Sequence, residues 1–98
     1  MDNYVIVRTY AMGVFAGYLN VEKSTETVKV LNQARRIWYW AGAASLSQLA
    51  MSGTSKPEKC KFPEEVTEVV LTSPQGFEIL SVTETAKKSI ESVAIWKI

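Results

Sequence analysis

The chain has no histidine and one cysteine, Cys60. Without histidine it lacks the commonest metal ligand and the commonest general base near neutral pH. A lone thiol forms no intrachain disulfide and no Cys–His nucleophile pair. No apolar run approaches the roughly 18 residues that would suggest a membrane span. The opening Met1-Asp2-Asn3-Tyr4 lacks the basic head and apolar stretch of a secretory signal. Together these absences predict a protein of a reducing cytoplasm with no membrane attachment. The five glycines, at 13, 17, 42, 53 and 76, are scattered and form no phosphate-cradling loop. The carboxylates show no calcium-loop spacing. No catalytic residue, metal site or cofactor is therefore expected.

What remains is ordinary for one folded domain. The 98 residues are 47% hydrophobic and 21% charged, which argues against disorder. A formal net charge of +1 argues against a general electrostatic grip on long nucleic acid and leaves room for a local basic patch. One domain over residues 1–98 is expected, with one modest core.

Tyr4 to Tyr10 is β-branched and aromatic and reads as a strand, with Arg8 and Tyr10 on one face. Val14 to Leu19 reads as its hairpin partner, the link at Met12-Gly13 being short. Glu22 to Glu26 is a polar tip. Thr27 to Leu31 predicts a third strand, and Ala34 to Trp40 a continuation or a fourth.

Ala43, Leu46, Leu49 and Ala50 fall at helical spacing, with Gly53 placed to end the helix. Thr54 to Pro63 reads as a loop. Val66 to Thr72 is a strand, Ser73-Pro74-Gln75-Gly76 a turn, and Phe77 to Ser81 the returning strand. Val82, Ala86, Ile90 and Val93 form the buried stripe of a second helix, capped by Ser81 or Thr83. Val93 to Ile98 reads as a last strand. The fold class is α+β: a twisted or barrel-like antiparallel sheet with two short helices.

The densest chemistry lies in Ala34-Arg35-Arg36-Ile37-Trp38-Tyr39-Trp40 and the following Gly42 to Ser45. On a strand, Arg36, Trp38 and Trp40 would share one face, and Arg35, Ile37 and Tyr39 the other. Two readings stand. The indoles pack into the core with arginine stems along their edges. Alternatively, a base stacks on Trp38 or Trp40 while Arg36 pairs with phosphate. In the second reading the helix opening at Gly42 to Ser45 favours an anion, and Arg8, Arg35 and Ser45 are secondary contacts. Lys56, Lys59 and Lys61 form a basic loop that is solvated or acts as a lid. A hydrolase would need a base. Glu64, Glu65 and Glu68 read instead as a surface run at a loop-to-strand junction.

Tyr4-Val5-Ile6-Val7, Gly13-Val14-Phe15-Ala16-Gly17, the Ala34 to Ala43 segment and Val66 to Thr72 together resemble a family of small phage-encoded proteins. The resemblance spans nearly the whole chain and departs at the Ser73–Gly76 turn. It implies a phage accessory protein in the host bacterial cytoplasm. Some small phage proteins are oligomeric sponges for nucleotide immune signals. The expected function is therefore to sequester a cyclic ADP-ribose isomer or cyclic dinucleotide, blocking host defence, as a homo-oligomer. The alternative is a non-enzymatic inhibitor or adaptor acting on a host protein, with the aromatics as interface anchors.

Overall fold

The computed structural model describes residues 3–98. Strands β1 (Asn3–Thr9), β2 (Gly13–Leu19) and β3 (Val28–Arg36) follow one another as an antiparallel meander. Helix α1 (Leu46–Ser52) comes next, followed by a single 3-10 turn at Pro57–Lys59. Strands β4 (Val66–Thr72) and β5 (Phe77–Ser81) then lead into helix α2 (Glu84–Ser92). The sheet order is β4-β3-β2-β1-β5.

β4 and β5 are therefore opposite edges, although only Ser73–Gly76 separates them in the chain. A flat sheet of five strands would hold those edges about 19 Å apart. The short link instead closes as a turn, with Gly76 N–H donating to Ser73 O at 3.1 Å. The sheet must curl to allow this. Its inner surface accordingly buries Val5, Val7, Phe15, Leu31, Ala34 and Leu71 in one cluster, with Phe77 of the far edge packed against them. Lys29 of β3 reaches to 5.6 Å from the Phe77 ring centroid. The curl stops short of closure, since β5 pairs with β1 and not with β4.

One β-bulge tightens the curl. Ala16 faces Arg35 and Tyr18 faces Asn32, so Gln33 and Ala34 both oppose Gly17. Gln33 takes φ 50° to fit the extra residue. A Cβ on Gly17 would stand 3.0 Å from Ala34 Cα, which explains the glycine there.

Both helices lie on the other face of the sheet. Ile6, Ala16 and Ile37 meet Leu46, Leu49 and Ala50 of α1 and Ile90 of α2, with Phe62 fully buried among them. Thr83 ties the two helices together. Its hydroxyl accepts from Ala86 N–H at 3.1 Å and donates to Met51 O at 2.8 Å.

Four expectations change. The Ser73–Gly76 turn does not make a β4–β5 hairpin, because the curled sheet offers β5 the free edge of β1. Ala34–Arg36 is the end of β3, and the chain leaves the sheet before Trp38. The first helix starts at Leu46, because Ser45 in extended backbone caps it and accepts from Gln48 N–H. The last segment contributes one isolated bridge, Phe62 to Ile95, instead of a strand.

Candidate functional site

Arg35 and Arg36 are neighbours with opposite fates, because consecutive strand residues point to opposite faces. Arg35 turns to the helix side and is 6% exposed. Its guanidinium donates to Pro63 O (3.0 Å), Ile90 O (2.9 Å), Phe62 O (3.0 Å) and Val93 O (2.7 Å). Two of those carbonyls belong to the end of α2, where Ile90 O also accepts from Val93 N–H at 3.3 Å. Burial pulls the Arg35 pKa down, while Tyr4 and Glu65 push it up. The expected role of Arg35 as a ligand contact is thereby corrected: four carbonyls of the chain itself already engage it.

Arg36 lies on the inner-face side, stacked 4.2 Å from the Phe15 ring centroid and donating to Met12 O at 2.9 Å. Trp38 is 63% exposed on the outer surface, whereas Trp40 is half-buried against the helix-side core. The expected common face of Arg36, Trp38 and Trp40 therefore does not form, because the strand ends at Arg36. Arg35 and Ile37 do share a face, but Tyr39 is drawn away by pairing with Lys61.

Three expected residues do converge. Arg8, Trp40 and Ser45 line one groove of about 390 Å³ on the helix side, with Val14, Ser47 and Glu78. Arg8 arrives from β1, Trp40 from the segment after β3, and Ser45 from the cap of α1. Glu78 is the residue that sequence reasoning missed. It faces Arg8 across the β1–β5 ladder and pairs with its guanidinium at 2.9 Å. Only the unexpected β5–β1 pairing reveals it. A second hollow of about 450 Å³ shares Arg8 and Glu78 and extends to Tyr10 and Phe77.

The groove offers an aromatic wall, hydroxyls and a guanidinium balanced by one carboxylate. Two amide groups at the start of α1 are engaged by the chain itself. Ala44 N–H donates to Gln48 Oε1 at 2.8 Å, and Gln48 N–H to Ser45 Oγ at 3.2 Å. Ala44 N–H is thereby withdrawn from the anion contact expected of Gly42 to Ser45. Lys61 is likewise no lid: its ammonium stands 5.9 Å from the Tyr39 centroid and 5.6 Å from that of Trp96.

On the same face of the sheet, Tyr4 and Tyr18 meet edge to face with centroids 5.1 Å apart, and Lys87 sits 4.9 Å from Tyr18. Burial, reinforced by Glu91, raises the Tyr4 pKa well above the usual phenol value. The Tyr18 hydroxyl raises that of Lys87. Lys87 thereby ties α2 to the sheet beside the Tyr4–Tyr18 pair. Among the described residues, no three of His, Cys, Asp and Glu cluster closely enough to hold a metal ion. Among the described residues no helix is long and apolar enough to cross a membrane.

Residues 2–90 match a family described as a domain of unknown function, DUF6948. No curated protein and no solved structure matches the chain.

Proposed function

The chain belongs to the DUF6948 family, a domain of unknown function, and from that premise we propose that it binds a small nucleotide-like ligand without transforming it. The observation that carries this reading is the convergence of Arg8, Trp40 and Ser45, from three separate segments, on one groove. A base stacks on the exposed part of the Trp40 indole. A ligand phosphate takes the Arg8 guanidinium from Glu78, and the Ser45 and Ser47 hydroxyls border it. In the phage setting that the sequence resembles, such a protein sequesters a cyclic ADP-ribose isomer or cyclic dinucleotide. The host's signal is withheld from its effector.

Glu78 makes the reading testable in both directions. Isothermal titration against a panel of cyclic ADP-ribose isomers and dinucleotides should give saturable heat with at least one member. Arg8→Gln should weaken that binding by about tenfold or more, the value of a charge-assisted hydrogen bond. Glu78→Gln should tighten it, because the phosphate no longer competes with a carboxylate. Absence of heat across the panel, or weaker binding by Glu78→Gln, would refute the assignment. Ligand recovered intact by mass spectrometry separates binding from hydrolysis.

A second reading, an adaptor that engages a host protein, draws on a different observation. Trp38 and Tyr39 are 63% and 52% exposed, and such residues dominate protein interfaces.

A further inference from the structure

The groove and the second hollow of the candidate site meet at one ion pair. The groove reaches from Arg8 and Glu78 past Val14 to Trp40 and Ser45, and the hollow reaches from the same pair to Tyr10, Gln75 and Phe77. The pairing register explains why. Arg8 faces Val14 of β2 on one side and Glu78 of β5 on the other, and the next rung of the β1–β5 ladder is Thr9 with Phe77. One compartment therefore opens over β2 toward the start of α1. The other lies past the pair, where β1 ends and β5 begins. The pair itself is open to solvent: the Arg8 side chain is 59% exposed and that of Glu78 44%.

Each compartment brings its own aromatic ring. Trp40 is half-buried against the helix-side core, so its indole is held in place on the groove side. Tyr10 stands on the turn after β1, is 82% exposed and takes part in neither hydrophobic cluster. Among the described residues that line the two compartments, Arg8 is the one cation. The order is thus ring, guanidinium, ring, with the guanidinium common to both sides. Volumes of about 390 and 450 Å³ each lie in the range of small-molecule sites.

We propose that the two compartments together take a cyclic dinucleotide, with one base on Trp40, the other on Tyr10 and the phosphodiester between them on Arg8. This rests on the ligand reading above and narrows it, since a cyclic ADP-ribose isomer carries one base and would leave one ring without a partner. Every base has a flat face to stack on an aromatic ring, so two rings reward a ligand with two bases. Once the first base is seated, the second binds within the same ligand, at the high effective concentration that a short linkage provides. The second diester of the cyclic ligand faces solvent. A single strand of nucleic acid presents the same diester between two bases. Beyond that step, however, its backbone meets no further cation among the described lining residues, and tracking a strand requires several.

Isothermal titration of the whole chain tests it by setting cyclic di-AMP, cyclic di-GMP and cyclic GMP–AMP against the one-base cyclic AMP and cyclic GMP. Wild type should bind at least one dinucleotide about tenfold or more tighter than its one-base counterparts. Tyr10→Ala should shrink that advantage to within about threefold, and Tyr10→Phe should keep it because the ring is retained. Both variants should melt with wild type, as expected of so exposed a side chain. Suppose a cyclic ADP-ribose isomer or a one-base nucleotide binds as tightly as any dinucleotide, and Arg8→Gln weakens it. The ligand reading then stands and the two-base inference falls. A dinucleotide advantage that survives Tyr10→Ala overturns the inference as well. So does an oligoadenylate that binds more tightly than the dinucleotides, which would assign the two compartments to single-stranded nucleic acid. No heat with any of these probes sinks the ligand reading and the two-base inference together.

Discussion

Arg35 binds two stretches of chain that are distant in sequence to the end of β3. Phe62 and Pro63 lie on the loop before β4, and Ile90 and Val93 lie at the end of α2. Each hydrogen bond contributes on the order of 1 kcal/mol, and a buried carbonyl left without a donor costs as much or more. Arg35→Met should therefore destabilise the fold by about 3–4 kcal/mol, measured by urea denaturation. Arg35→Lys should recover less than half of that loss, because one ammonium cannot match a planar fork to four acceptors. Arg36→Met, one residue on, removes one exposed hydrogen bond and the stacking on Phe15 and should cost about 1 kcal/mol or less. The residue types alone could not separate these two arginines. What distinguishes them is a cage of backbone carbonyls, and any residue in those positions would supply the same oxygens. The convergence of Arg8 and Trp40 was legible as a basic, aromatic tendency. Glu78 was not, because its pairing with Arg8 depends on which edge β5 joins.

At the scale of elements, β3 shows how one inserted residue hides a strand. Up to Asn32 the even-numbered residues face the helix side, while beyond the bulge the odd-numbered Arg35 does. The period of two is broken in mid-strand, so the sequence reads as two shorter strands instead of Val28–Arg36. Gln33 bears the geometric cost at φ 50°, a conformation that β-branched residues adopt poorly. Gln33→Val should lower stability by about 1–2 kcal/mol, or roughly 5–10 °C in Tm. Gln33→Gly should be neutral or slightly stabilising, with strain relief offsetting the added freedom of the unfolded chain. If Val were tolerated as well as Gly, the bulge would not be holding its strained geometry. The helices were easier to read, since Gly53 ends the first where the pattern predicts and Thr83, one of the two expected caps, begins the second. A turn such as Ser73–Gly76 says that the chain reverses; it does not say which strand it returns to.

At the scale of the molecule, that reversal determines how the two clusters are built. The helix-side cluster has helices to cover it, as the amphipathic stripes predict. The inner cluster has no helix and is covered by the sheet's own curl, which brings Leu71 of β4 and Phe77 of β5 to the same group of side chains. In an open, flat sheet these two residues would sit on opposite edges, and substitutions at them would act independently. In the curled sheet Leu71 faces Lys29 across the β3–β4 ladder, and Lys29 in turn lies over the Phe77 ring. A double-mutant cycle with Leu71→Ala and Phe77→Ala should therefore show a coupling of about 0.5–1 kcal/mol. Each single substitution should cost about 2–4 kcal/mol, with Leu71 nearer the top because it is the more fully buried. The same cycle between Leu71 and Leu80 provides the control, because Leu80 packs on the helix side of the sheet. Additivity there, with coupling at Phe77, would place the two edges in contact across the inner face. Additivity in both cycles would mean that the seam between β4 and β5 gapes in solution and that the inner cluster is not shared by the two edges.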